Sequence, residues 1–243
     1  MNELVSAPAC RYDAVFFDLG YTLIWFSPSV NEIAAEAWRA AGLNVTVEQV
    51  RTAMDAAYAR QEATAGAACF PASEEYDRQV ELQRWRDVLH LLGGSDESIV
   101  SRYEAISAEL YRRPGVLRLY DDVLPVLAAL QRAGCRLGII SNWNWSLNEW
   151  VERAGLTPFF EVVVGSAYAG CQKPHPAIFQ RALERMDVPA QRAVYVGDRY
   201  ETDVVGARAA GLAAILLDRA GQATHSDCAT VRDLWGALKL LMG

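Results

Sequence analysis

Basic charge is scarce in this chain and nowhere concentrated. Its 243 residues carry 23 Lys and Arg against 30 Asp and Glu, a formal net charge of −7, and no basic run. An acidic chain without a positive stripe is a poor partner for nucleic acid or for an anionic membrane surface. A small anionic substrate stays compatible with that balance, because one local site can be positive on an acidic protein. Long hydrophobic runs are also missing, so no segment has the length that spans a bilayer. The first ten residues include Glu3 and lack both a basic start and an apolar core. They do not read as a secretory signal, and the expected location is cytoplasmic. The five cysteines, Cys10, Cys69, Cys135, Cys171 and Cys228, are scattered, odd in number, and hold no pair at metal-ligand spacing. They are read as reduced thiols. Internal repeats and low-complexity tracts are absent.

What is present is a core-forming composition, 52% hydrophobic and 22% charged, with two textures. In the first, short β-branched runs alternate with amphipathic segments. Ala14 to Phe17, Arg136 to Ile140, Val162 to Val164, Ala193 to Val196 and Ala213 to Leu217 read as buried strands. Val123 to Ala133, Ser146 to Ala154, Pro176 to Met186 and Thr202 to Ala210 read as helices, with Gly134, Gly155 and Gly211 where helices end. Strand–helix–strand repetition at this spacing predicts an α/β fold, a doubly wound parallel sheet with a Rossmann-like core. The second texture is all helical. Ser29 to Ala41, Thr46 to Ala65, Ser73 to Leu92 and Asp96 to Arg112 carry helical periodicity, broken at Gly42, at Gly66 to Pro71 and at Gly93-Gly94. Thr46 with Gln49 and Ser73 with Tyr76 offer capping positions. The expected organisation is a core domain over residues 1–26 and 114–243, with an inserted helical cap domain over 27–113.

Four strand-end or loop features carry chemistry. Asp18 ends the run Ala14 to Phe17, and Ser141-Asn142 ends the run Leu137 to Ile140. Lys173 stands in a loop just before a helix. Gly197-Asp198 ends the run Ala193 to Val196, with Asp203 five residues beyond. In a parallel sheet all carboxyl ends face one rim, so these residues can meet although they are far apart in sequence. Each alone is more often a cap, a turn or a solvated lysine. Together they suit phosphoryl transfer, which needs an attacking oxygen and positive charge on the phosphoryl oxygens. Asp18 can attack and form an aspartyl-phosphate. Asp18 and Asp198 can hold Mg²⁺, a hard ion that prefers oxygen ligands. Ser141 and the amide of Asn142 can donate to phosphate, and Lys173 can neutralise it.

At these residues the sequence resembles the haloacid dehalogenase-like hydrolases, over almost the whole chain from about Tyr12. Phe17-Asp18-Leu19-Gly20-Tyr21-Thr22-Leu23 resembles the nucleophile motif of that family, and Ile139-Ile140-Ser141-Asn142 its second motif. Lys173-Pro174-His175-Pro176 is similar to the lysine motif, and Gly197-Asp198 through Asp203 to the metal motif. The resemblance implies Asp18 as nucleophile and metal ligand, the Gly20 carbonyl and Asp198 as further ligands, and Asp203 supporting the metal or Lys173. It implies that Thr22, Ser141, Asn142 and Lys173 hold the phosphate, and that the insert is a helical cap over the site. The implied activity is Mg²⁺-dependent hydrolysis of a small phosphorylated metabolite.

One departure stands out. Many phosphatases of the family carry an Asp two positions after the nucleophile as general acid and base, where this chain has Gly20. Loss of such a group forfeits about 10²–10⁴ in rate. Tyr21 or His90 are the substitutes the sequence offers, each with a structural role as its alternative. Two other readings follow, a 2-haloacid dehalogenase-type hydrolase that needs no metal, and a phosphate-binding module that has lost turnover. At least one of Trp143 and Trp145, next to Ser141-Asn142, is expected to border the site, the alternative being packing under the cap.

Overall fold

A computed structural model describes residues 9–65 and 69–242. In chain order the elements are β1 (Ala14–Phe17), β2 (Ile24–Phe26), α1 (Val30–Ala41), α2 (Val47–Ala65), α3 (Glu74–Leu91), α4 (Ser98–Arg112) and β3 (Leu117–Leu119). They continue with α5 (Val123–Arg132), β4 (Arg136–Ser141), α6 (Leu147–Arg153), β5 (Val162–Gly165), α7 (Ser166–Ala169), α8 (Pro176–Met186), β6 (Ala193–Gly197), α9 (Val205–Ala209), β7 (Ala213–Leu217), β8 (Ala229–Val231) and α10 (Leu234–Leu241). The chain divides into two compact units, one of Met1–Ile24 with Leu119–Gly243 and one of Trp25–Arg118. Strands β2 and β3 pair in a separate two-stranded sheet, and the unit boundaries fall within them.

The first unit is built on a six-stranded sheet in the order β5-β4-β1-β6-β7-β8. Every pairing is parallel, with Phe17 level with Ile139 on one side and Val196 on the other. Strand β1 is central and all four of its residues are buried, as expected of a strand covered on both faces. One core cluster gathers Phe16, Ile140, Ile178, Phe179, Leu183, Met186 and Tyr195 from β1, β4, α8 and β6. Gly134, Gly155 and Gly211 take the left-handed conformation just past their helices (φ 84°, 69° and 88°), which lets the chain turn back into the next strand. This is the α/β fold and parallel sheet that the alternating texture predicts.

Three features of this unit differ from the sequence expectation. The stretch read as one helix over 202–210 is two pieces. A wide π-type turn covers Tyr200–Val204, with Val205 N–H bonded to Tyr200 O, and α9 follows. Strand β8 is only three residues long, and α10, although strongly apolar, is not among the helices read from the sequence. Cys10 and Cys135 are joined in a disulfide (Cα–Cα 5.9 Å), which corrects the reading of all five as reduced thiols. Both residues lie beside paired strands, Cys135 one position before β4, so the fold brings them together across 125 residues. Cys69, Cys171 and Cys228 are free thiols.

The second unit holds α1 to α4. Ser29 and Glu32 form a reciprocal capping box at α1, and Thr46 with Gln49 makes the equivalent pair of bonds before α2. Ser73 caps α3 by accepting from Tyr76 N–H. Trp38 of α1 stacks on Tyr103 of α4 at 3.9 Å, with Trp85 tilted against Tyr103. Trp38 is a core aromatic and Trp85 is half-buried beside it. The break expected at 66–71 lies partly, and the N-terminal stretch 1–8 wholly, outside the described residues. Among the described residues no helix is long and apolar enough to cross a membrane.

Candidate active site

The rim formed by the carboxyl ends of β1, β4 and β6 brings four of the expected residues into one hydrogen-bonded group. Asp18 directly follows β1, Ser141 ends β4, and Lys173 comes from the loop before α8. Ser141 Oγ donates to Asp18 Oδ1 at 2.9 Å, and Lys173 Nζ donates to the same oxygen at 2.6 Å. The second and third protons of Lys173 go to Asp203 Oδ1 at 2.7 Å and to the Tyr195 hydroxyl at 2.8 Å. That hydroxyl in turn donates to Ile140 O at 2.6 Å. Every donor of the ammonium is used, and Lys173 is only 3% exposed.

Local folding explains how each group is held. Asn142 Nδ2 donates to Lys173 O at 3.0 Å, and its Oδ1 accepts from Lys173 N–H at 2.7 Å. The Asn142 side chain therefore ties the end of β4 to the lysine loop. His175 caps α8 by accepting from Ala177 N–H. The wide turn after β6 lets Asp203 Oδ2 accept from Arg199 N–H at 2.9 Å while Oδ1 faces Lys173. A π-type turn at such a place re-aims one side chain. Gly197 is required here, because a Cβ at that position would lie 2.3 Å from Asp203 Oδ2.

Asp198 and Thr22 form the second part of the site. Thr22 is fully buried, and its hydroxyl donates to Asp198 Oδ1 at 3.2 Å. The loop after Asp18 is a tight turn in which Leu23 and Ile24 N–H both bond to Leu19 O. Tyr21 sits in it with φ 58°, a left-handed conformation rare for a side chain of its size. Gly20 has no such φ. Its constraint is Trp143, since a Cβ on Gly20 would meet Trp143 Cζ3 at 3.3 Å. Trp143 thus borders the site, whereas Trp145 packs edge-on against Tyr168 at 4.9 Å. His90 lies at the end of α3 in the helical unit, within 3.3 Å of Gly94 O.

The electrostatics are unbalanced. Three carboxylates, Asp18, Asp198 and Asp203, share one buried cation. Burial pushes the pKa of Asp18 up, and the Asp203 charge adds to this against the pull of Lys173. Asp198 is raised to about 7, by burial first and then by Asp18 and Asp203. Burial alone would lower Lys173, but the charges of Asp18 and Asp203 override it and hold the ammonium protonated. Burial pushes the Tyr195 phenol well above its usual range, so it stays neutral. Tyr195 is the residue of this group that sequence reasoning missed. The available signal was a polar-tipped residue inside the apolar run Ala193 to Val196, three positions before Asp198.

Comparison with known proteins accords with this geometry. The chain matches the profile of the haloacid dehalogenase-like hydrolases over residues 12–211. It is 31% identical over 222 residues to haloacid dehalogenase-like hydrolase domain-containing protein 3 of Danio rerio, spanning 88% of each chain. A segment of 105 residues is 38% identical to glyceraldehyde 3-phosphate phosphatase of Methanopyrus kandleri, 42% of this chain and 45% of that one. Bacillus subtilis YfnB bound to magnesium has the same fold, with a TM-score of 0.72 at 21% identity, over 95% of this chain and 99% of that one.

Proposed function

The chain belongs to the haloacid dehalogenase-like hydrolases, and we propose that it is a Mg²⁺-dependent phosphatase of a small phosphomonoester that works through a phosphorylated Asp18. The carrying observation is the buried group of three carboxylates around Lys173, two of them raised in pKa by burial first and then by the neighbouring carboxylate charges. Such a set of oxygen donors fits a divalent cation of the hard type. Asp18, Asp198 and the Gly20 carbonyl are the ligands we assign, with Asp203 supporting through Lys173. The bound ion would supply positive charge to the attacking carboxylate and to the phosphoryl oxygens.

An oxygen of Asp18 attacks phosphorus and the P–O bond to the alcohol breaks. The departing alkoxide takes up one proton. Water then attacks the phosphorus of the acyl-phosphate, restores the Asp18 carboxylate and releases inorganic phosphate and one proton. Lys173, whose three donors already converge on Asp18, Asp203 and Tyr195, keeps the carboxylate oriented. On substrate binding Ser141 Oγ and one Lys173 proton would turn from Asp18 Oδ1 to the phosphate, with the main-chain N–H of Asn142 as a third contact and Thr22 beside Asp198 as the fourth candidate. The segment shared with a named glyceraldehyde 3-phosphate phosphatase favours phosphate esters over 2-haloacids.

Gly20 and the indole of Trp143 leave no acid two positions after the nucleophile. Activity should therefore follow the acidity of the leaving alcohol. Nitrophenyl phosphate should be cleaved roughly 10²-fold or more faster than simple alkyl phosphates. A panel of phosphomonoesters assayed with Mg²⁺ and with chelator tests the reading. Phosphate release that survives complete chelation would remove the metal, and 2-haloacid turnover that survives it with no ester hydrolysis would remove the phosphatase as well. Tight binding of a phosphate analogue with no turnover on any ester would favour the binding module. A cytoplasmic setting is part of the proposal, and the Cys10–Cys135 bond weighs against it, since disulfides are rare where thiols are kept reduced. Thiol trapping in intact cells decides that point.

A further inference from the structure

One buried ion pair lies outside all four motifs yet reaches the nucleophile loop. Arg219, two residues past β7, forks onto Asp122, with Nη1 to Oδ2 at 2.9 Å and Nη2 to Oδ1 at 3.0 Å. Asp122 is buried, and its Oδ2 also accepts from Leu234 N–H at the start of α10. The guanidinium lies over the ring of Tyr120, 3.7 Å from its centre. A carboxylate on one edge and a ring beneath fix the plane of the fork. Nη2 then makes a further bond, to Thr22 O at 2.9 Å.

That last bond connects the pair to the site. Thr22 is the residue whose hydroxyl donates to Asp198. Its carbonyl is held by a side chain arriving from 197 residues away. Arg219 and Asp198 also line one cleft of about 480 Å³, together with Tyr21, Tyr120 and Tyr200. An ion pair needed only for stability would be complete with Asp122. The added bond to Thr22 O sets where the turn carrying Gly20 and Thr22 lies relative to β6.

We propose that Arg219 is a positioning residue for the metal-binding carboxylate Asp198, acting through Thr22, with Asp122 and Tyr120 holding its plane. The inference rests on the metal site proposed above. Groups that orient metal ligands from behind typically govern about 10–100-fold in metal affinity.

The test uses Mn²⁺ as probe, followed by electron paramagnetic resonance in the absence of any substrate. Removing Arg219 alone would leave Asp122 as a buried unpaired charge and endanger folding. The main variant is therefore R219Q combined with D122N, a neutral pair too short to reach Thr22 O. Its fold is checked by circular dichroism and thermal melting. The expected result is a folded protein whose Mn²⁺ dissociation constant rises about tenfold. The Mg²⁺ needed for half-maximal nitrophenyl phosphate hydrolysis should rise in parallel, with KM for the ester little changed. A second variant, R219K, keeps the charge opposite Asp122 but has no fork to serve two partners at fixed geometry, and should fall between. A folded double variant with wild-type Mn²⁺ affinity overturns the proposal. So does wild-type affinity in R219K if the double variant fails to fold. Wild-type protein that binds no Mn²⁺ overturns the metal reading itself, and this inference with it.

Discussion

Both units of this chain are rich in ion pairs, and the pairs have different physical meanings. In the helical unit Arg51 meets Glu48 and Asp55 at side chains that remain largely in contact with water, and Arg78, itself half exposed, meets the more covered Glu104. Such pairs contribute about 0–1 kcal/mol each. In the α/β unit Lys173, Asp18 and Asp203 make equally short contacts with their side chains 3%, 9% and 2% exposed. Burying charge costs several kcal/mol per ion before attraction offsets it. A cluster that is costly to assemble and still carries several carboxylates around one cation fits the proposed chemistry, whereas the exposed pairs decorate helix surfaces. Burial, not the number of charges, separates the Lys173 cluster from such pairs, which the α/β unit also carries at Arg136–Glu161 and Arg192–Asp13.

The contrast can be broken most decisively at its centre. Asp18→Asn keeps shape but removes the carboxylate proposed to attack, and turnover should fall on the order of 10⁴-fold or more while the melting transition persists. Near wild-type phosphate release from a folded mutant would move the nucleophile elsewhere. Lys173→Met should come next. It leaves Asp18 and Asp203 facing one another unneutralised, a loss of about 3–5 kcal/mol as for other broken buried pairs. Denaturant unfolding at pH 7 checks it, and a change below about 1 kcal/mol would show that the cluster is better hydrated than its burial indicates.

The third test turns on Asp198, whose pKa is raised to about 7 in the folded, metal-free protein from 3.8. The folded state then binds the proton more tightly than the unfolded one. That contribution to stability is complete below about pH 4 and is lost as pH rises through about 7. At the proposed metal site a divalent cation would take the place of the proton. Mg²⁺ should accordingly raise the melting temperature more at pH 7.5 than at pH 5, and its apparent affinity should weaken roughly tenfold per unit on the acid side of 7. Equal protection at both values would mean that Asp198 is not the titrating ligand. The smallest effect belongs to the helical unit. Glu104→Gln should change unfolding free energy by less than about 1 kcal/mol, and a larger change would show that its surface pairs act as a network.

What could be read beforehand follows the range of the interactions. The apolar runs ending at Asp18, Ser141 and Asp198 mark strand ends, because a strand buried on both faces is a contiguous local signal. The sheet register then brings those ends to one rim. The partnerships that finish the site are not local. Lys173 finds Tyr195, Arg219 finds Asp122 at 97 residues' distance, and Cys10 finds Cys135. No periodicity announces such pairs. The role of the Asn142 side chain was likewise hidden, because only the folded loop shows it bound to the Lys173 backbone. Trp143 was placed near the site by its neighbours in sequence, but that it stands where a side chain on Gly20 would point emerges only in three dimensions.

The disulfide also changes the chain's connectivity. Joining Cys10 to Cys135 closes a covalent ring that contains every residue of Trp25–Arg118. The helical unit is therefore a bight of a closed ring, tethered at both ends. A protease that cuts once inside that bight opens the ring but releases no fragment. The two pieces travel as one molecule through a gel until a reductant cleaves the bond, and only then does their mass reveal where the cut was made.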